Sequence, residues 1–128
     1  MTQNDFVNAL KTECADAAVH DCLELLKAPP GRRPAQSLVS LSVWYRGLDP
    51  ADQANVAAAL RIAADATLFG VLCVIDGVRI IENQPAKSVF RLTATCNGST
   101  SIISPGPEDL HDLLEGPAYM PSDPGRWG

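Results

Sequence analysis

The chain is poor in the side chains from which most sites are built: two of its 128 residues are histidine, and aromatic residues make up 5%. Its four cysteines, Cys14, Cys22, Cys73 and Cys96, include no C-x-x-C pair, so neither a zinc ribbon nor a redox dithiol is written in it. An even count would suit disulfides in a secreted protein. The N-terminus lacks a basic stretch followed by an apolar one, so the cysteines read instead as small buried hydrophobes and the protein as cytosolic. There is no glycine-rich phosphate loop, G-x-S-x-G, H-E-x-x-H or EF-hand loop. Those absences remove the commonest routes to nucleotide, acyl-transfer, metalloprotease and calcium chemistry, and no cofactor is expected. No apolar run approaches the roughly 18–20 residues of a membrane span, so no membrane partner is expected. Basic charge is also short: ten Lys and Arg against fifteen Asp and Glu leave a net charge of −5, which repels phosphate backbones and excludes nucleic acid. The one basic pair, Arg32-Arg33, sits in the Pro/Gly-rich linker "KAPPGRRPAQ".

What is present is a 46% hydrophobic chain, long enough to bury one core. A helix is expected from Thr2 or Asn4, either a good N-cap, to about Leu26. Phe6, Leu10, Cys14, Ala18, Cys22 and Leu25 form its apolar stripe, and Glu13, Asp16, His20 and Glu24 its polar face. Asp16, His20 and Glu24 follow one another at i, i+4, which suits a metal, but ligands from a second element are missing. The group reads as a solvated face, and no metal is expected. Pro29-Pro30-Gly31 ends the helix. "SLVSLSVWYRGL" fits a strand through Val39, Leu41, Val43 and Tyr45, or a helix through Leu38, Leu41, Tyr45 and Leu48; the closing Gly47 favours helix.

"LDPADQ" is a clear helix start, with Asp49 as N-cap, Pro50 at the first position and Asp52 at the positive end. Val56, Leu60, Ala63, Thr67, Val71 and Val74 continue one face. Arg61 and Asp65 mark a polar side that vanishes from Ala66 to Ile75, which predicts a helix buried all round at its end. A central strand over Leu68 to Ile75 remains the alternative. Asp76-Gly77 reads as a turn or a structural ion pair, with Arg79 and Glu82 the nearest partners.

Val78 to Glu82 looks like a short strand. "SVFRLTATCNGSTSII" predicts a hairpin about Asn97-Gly98, with Cys96 facing Ser99, Ala94 facing Ser101 and Leu92 facing Ile103. A hairpin is marginal alone, so Val78 to Glu82 is expected to add a third strand. "SPGPEDLHDLLEG" predicts a short helix with Pro107 at its start and Gly116 past its end that buries Leu110, Leu113 and Leu114 and leaves His111 in solvent. The expected fold is α+β: a long N-terminal helix and a central buried helix on a small antiparallel sheet of about three strands, then a short C-terminal helix. One domain should span 1–116. Residues 117–128 hold three prolines and two glycines and should be an irregular tail, notable for Tyr119, Met120 and Trp127.

"VWYRGLDPADQ" followed by "FGVLCVIDGVRIIE" resembles a pattern of small uncharacterised bacterial proteins, Trp-Tyr-x-x-Leu and then Phe-Gly-x-Leu-Cys-Val-(Leu/Ile)-Asp-Gly-Val-Arg. It covers about residues 43 to 82, with Ile75 and Ile80 in place of Leu and Ala. No catalytic residue attaches to that pattern. In size and acidity the chain is similar to immunity proteins of bacterial polymorphic toxins. With the absence of catalytic motifs, the resemblance implies a non-enzymatic, cytoplasmic protein-binding module of the kind that neutralises a basic toxin. Glu13, Asp16, Glu24, Asp76 and Arg79 would meet that partner, with Trp44 and Tyr45 as anchors. The competing reading is a small enzyme or ligand-binding domain using Asp76, Arg79 and Glu82 at a pocket mouth. A structural homodimer is the third.

Overall fold

The structure, a computed structural model, describes residues 1–114. Four helices pack on a two-stranded antiparallel sheet, and a short helix follows, so the fold is α+β. The first rod runs through α1 (Gln3–Leu10), a π-helical segment (Lys11–Asp16) and α2 (Ala17–Lys27). It starts at a capping box. Thr2 Oγ1 accepts from the Asp5 N–H, and the Asp5 carboxylate accepts from the Thr2 N–H, both at 3.1 Å. Those bonds from Thr2 hold the Asp5 carboxyl below its ordinary value.

The π segment keeps one face buried along the whole rod. Its wider turn takes in one extra residue, so every later position rotates by one relative to a continuous α-helix. Val7, Ala15, Val19 and Leu26 face inward, whereas the expected Cys14, Ala18 and Leu25 are exposed. The buried line lies one residue along from the stripe drawn at uniform helical spacing, in α1, where Val7 is buried and the expected Phe6 and Leu10 are half-buried, as well as in α2.

Helix α3 (Gln36–Arg46) settles the ambiguous "SLVSLSVWYR" as helix. Ser42, fully buried, donates to the Leu26 carbonyl at 2.6 Å and ties α3 to α2. Helix α4 (Pro50–Ile75) starts where the sequence places it, the Asp49 carboxylate accepting from the Asp52 N–H at 2.8 Å. It runs unbroken through residues 66–75, so the strand alternative falls. Its end is a Schellman turn: Gly77, at φ +79°, donates to Val74, and the Val78 N–H donates to Cys73. Gly supplies the left-handed conformation that this stop requires.

Burial around α4 is one-sided, which corrects the expectation of a rod covered on every face. Asp65, Leu68, Phe69, Gly70, Leu72 and Cys73 are buried, while Val71 on the opposite side stays 50% exposed. The π segment, α2 and α5 pack on it, and the sheet lies against α1 instead of wrapping the helix. By length and composition α4 could also cross a membrane: its most apolar 18-residue window has a mean hydropathy of 1.9, and 28% of that window is buried. The expectation that no segment reaches span length thus fails, because a helix carrying only Arg61 and Asp65 along this stretch keeps a high mean hydropathy.

Strands β1 (Leu92–Cys96) and β2 (Ser99–Ser104) form the hairpin, with Asn97 at φ 49° and Gly98 at φ 79° in its turn. Cys96 pairs with Ser99 and Ala94 with Ser101 as expected. A bulge between Leu92 and Thr93 then moves Leu92 from Ile103 to Ser104. Ile103 is buried and Ile102 is 61% exposed. The third strand does not form. Residues 78–82 lie in an irregular connection whose polar groups are met locally: Ser88 donates N–H and hydroxyl to the Glu82 carboxylate, and Lys87 donates to the Glu82 carbonyl. Ile80 and Ile81 are left about three-fifths exposed.

Val7, Leu68, Phe69, Leu72, Cys73, Ile103, Leu110 and Leu114 make the core. Gln3 clamps it at one end, its amide donating to the carbonyls of Ile103 and Glu108. Helix α5 is one turn, Leu110–Leu113, and starts three residues after the expected Pro107. Its expected end before Gly116, the domain limit at 116 and the tail with Tyr119, Met120 and Trp127 lie outside the described residues.

Candidate functional site

Asp76 ends α4 and simultaneously begins α5. Its Oδ1 accepts from the Leu110 N–H at 3.0 Å, and its Oδ2 from the His111 N–H at 2.9 Å and from His111 Nδ1 at 2.7 Å. The two side chains are 2% and 6% exposed. Asp76 thus acts as the N-cap of a helix 34 residues further along, a role Asp109 leaves open by making no side-chain cap bond. The His111 ring also stands edge-on to Phe69, with centroids 5.7 Å apart and planes at 88°. His111 is therefore a core residue, which corrects the expectation that it is solvated. The three-and-four spacing of Leu110, Leu113 and Leu114 places it off their stripe. In a one-turn helix, however, a carboxylate waiting in the core outweighs the stripe.

A carboxylate holding an imidazole at Nδ1 is also the orienting half of a catalytic triad. The other half is missing among the described residues. His111 Nε2 looks at the Asp112 carboxylate at 3.3 Å, not at a hydroxyl or a thiol. Cys73 is the neighbouring thiol, but it is fully buried, and burial pushes its pKa up. A thiol held protonated is a poor nucleophile. The other three cysteines are free; Cys14 and Cys96 are exposed, against the expectation of burial.

Arg79 and Glu82 do not join Asp76 in one cleft. The Arg79 guanidinium lies over Gly70, where an added Cβ would come within 2.6 Å of Nη1, so the glycine makes room for a side chain. Glu82 is occupied with Ser88. The cavity that Arg79 and Glu82 share holds about 30 Å³, room for a single water.

A wider concavity lies elsewhere. An open groove of about 510 Å³ runs between the first rod and α4, with Leu10, Cys14, Ala15 and Ala18 on one wall and Ala63, Ala64, Thr67, Leu68 and Val71 on the other. No charged residue lines it. Its single hydroxyl, on Thr67, is bonded back to the Ala63 carbonyl at 2.7 Å. Beside it Lys11 pins the two helices, with Nζ 2.7 Å from Asp65 and 2.8 Å from Asp16. Burial pulls the Lys11 pKa down, but the hydrogen bonds and charges of Asp16 and Asp65 outweigh it, so the net shift is upward. Asp65 is thus a buried ion-pair partner and not, with Arg61, part of a solvated face.

The remaining candidates are dispersed. Glu13 and Glu24 are exposed on the first rod, Glu24 lying 3.5 Å from Lys27. Asp16 serves Lys11, and His20 stands beside Asp21, so Asp16, His20 and Glu24 do not form one cluster. Trp44 is 52% exposed, one turn from the exposed Leu41 on α3, and Val43 is exposed on another side of the helix. Tyr45 is buried and the Asp76 side chain is 2% exposed, which withdraws both from any surface, and Arg79 is half-buried. Comparison with known proteins finds no matching family, no similar curated protein and no similar solved structure.

Proposed function

We propose that this chain is a non-enzymatic protein-binding module whose contact surface is the open side of α4 and its groove. The observation that carries the reading is that uncharged groove, on whose α4 wall Val71 remains half exposed. Contiguous apolar surface of this kind marks contact sites. Trp44 with Leu41 supplies a second apolar area with an aromatic anchor. The acids that stay exposed, Glu13, Glu24, Asp109 and Asp112, steer a basic partner. An immunity protein that neutralises a basic toxin in the cytoplasm is the particular form these features suit. The enzyme reading is weaker, because Asp76, Arg79 and Glu82 are each committed to separate structural tasks.

The test is capture of partners from the native host by the full chain, by Val71→Lys and by Trp44→Ala. Both replaced residues are at least half exposed, so the variants should keep the wild-type circular dichroism and lose no more than about 1 kcal/mol of stability. The expected result is one stoichiometric basic protein, released by high salt and lost in at least one variant. Capture indifferent to both changes, or a chain that instead sediments with lipid vesicles through α4, contradicts the proposal.

A further inference from the structure

We infer that the element a partner seats in the α4 groove is an amphipathic α-helix carrying Lys and Arg along one flank. The inference rests on the groove being the contact surface and adds what fills it. Hydrogen bonding, wall size and neighbouring charge each narrow the occupant.

Both walls are helical from end to end, Leu10 to Ala18 in the first rod and Ala63 to Val71 in α4, so their backbone groups are bonded inside their own helices. The one hydroxyl, on Thr67, is spent on the Ala63 carbonyl. Such a groove offers an incoming chain neither donor nor acceptor. An extended segment laid in it takes its own N–H and C=O groups out of water and finds no replacement on the walls. A helix arrives with those groups already bonded and buries side chains without that cost.

The dimensions agree with a helix. Each wall advances eight residues, about 12 Å at the helical rise, which two turns of a third helix span. Ala15, Ala18, Ala63 and Ala64 are small, so a third axis can come close to both walls, while Leu10, Cys14, Leu68 and Val71 give its side chains something to pack between. Apolar anchors at i, i+3, i+4 and i+7 cover that length.

Charge fixes the flank. From Leu10 to Leu25 the rod carries Glu13, Asp16, Asp21 and Glu24 against one lysine, Lys11, which Asp16 and Asp65 already hold. Glu13 stands three residues after Leu10 and Asp21 three after Ala18, so both adjoin the lining residues on the outer flank of the rod. Both are exposed, and neither meets a Lys or Arg among the described residues; Asp21 lies 3.3 Å from His20. A helix in the groove lays one side along this acidic edge, where Lys and Arg are favoured and Asp and Glu are repelled. The α4 wall carries no charge and makes no such demand on the other side.

A display library of random peptides of about 16 residues, long enough for four helical turns, selected on the full chain and counter-selected on Val71→Lys, tests this. Enriched sequences should carry the apolar stripe with Lys or Arg on one side of it, and a central proline should weaken their binding about tenfold or more. Glu13→Lys combined with Asp21→Lys, at two exposed positions, should weaken the same peptides about threefold or more and flatten their salt dependence. Binders that tolerate the central proline, that are acidic, or that ignore the double change overturn the inference. A selection that yields no peptide rejected by Val71→Lys overturns it as well. The native partner separates this inference from the reading beneath it: if Val71→Lys still abolishes its capture, the surface stands and only the helix falls.

Discussion

Replacing Asp76 by alanine leaves two backbone N–H groups and a ring N–H in the interior with no acceptor. The expected loss is roughly 3–5 kcal/mol, read from urea unfolding, because buried donors lose their partner without regaining water. A change under 1 kcal/mol would mean that α5 is not held this way. The sequence identified Asp76-Gly77 as a stop and left open which group the acid serves, since spacing along a chain carries no information about a partner 35 residues away. Titration gives a second prediction. Lys11 and Cys73 both have folded pKa values raised above their ordinary 10.5 and 9.0, and a raised value contributes stability that is intact below the unfolded pKa and lost above it. Stability should therefore fall from about pH 9 upward. Cys73→Ala should remove the earlier part of that decline.

Among the elements, the π segment decides the most. Capping residues and the four-and-three periodicity made both long helices legible, and Asn97-Gly98 made the hairpin legible, because those signals are local. The extra residue in Lys11–Asp16 has no such signal, and with it Val7 stays in line with Ala15, Val19 and Leu26 on one buried face. Deleting Thr12 should convert the segment to regular α-helix and leave the flanking faces in place, so a cooperative melt close to that of the parent chain is expected. Deleting His20 from regular α2 should rotate Leu26 off Ser42 and α3, and cost about 2–5 kcal/mol. Equal effects of the two deletions would sink this account of the rod. The missing third strand has a similar lesson: Val78 to Glu82 has strand composition, but Glu82 satisfies the Lys87 and Ser88 donors locally, and the segment never joins the ladder.

For the whole molecule, the sequence supported one core of mixed α+β type but not how completely it would be covered. An all-apolar helix end reads as buried when the number of neighbours is unknown. Among the described residues there are two strands instead of three, and those lie against α1, so α4 keeps an open side there. That shortfall of covering elements creates the groove and is the basis of the functional proposal.

Cys14 is a built-in reporter for it, since the thiol is exposed and lines the groove, while Cys96 sits apart at the hairpin turn. The decisive measurement is the rate of thiol labelling of both residues in the free chain and in the complex purified from the native host. Labelling of Cys14 should be fast in the free chain and slowed at least tenfold by the partner, with Cys96 unaffected. Equal Cys14 rates in the two states would contradict the assignment of the α4 groove as the contact surface.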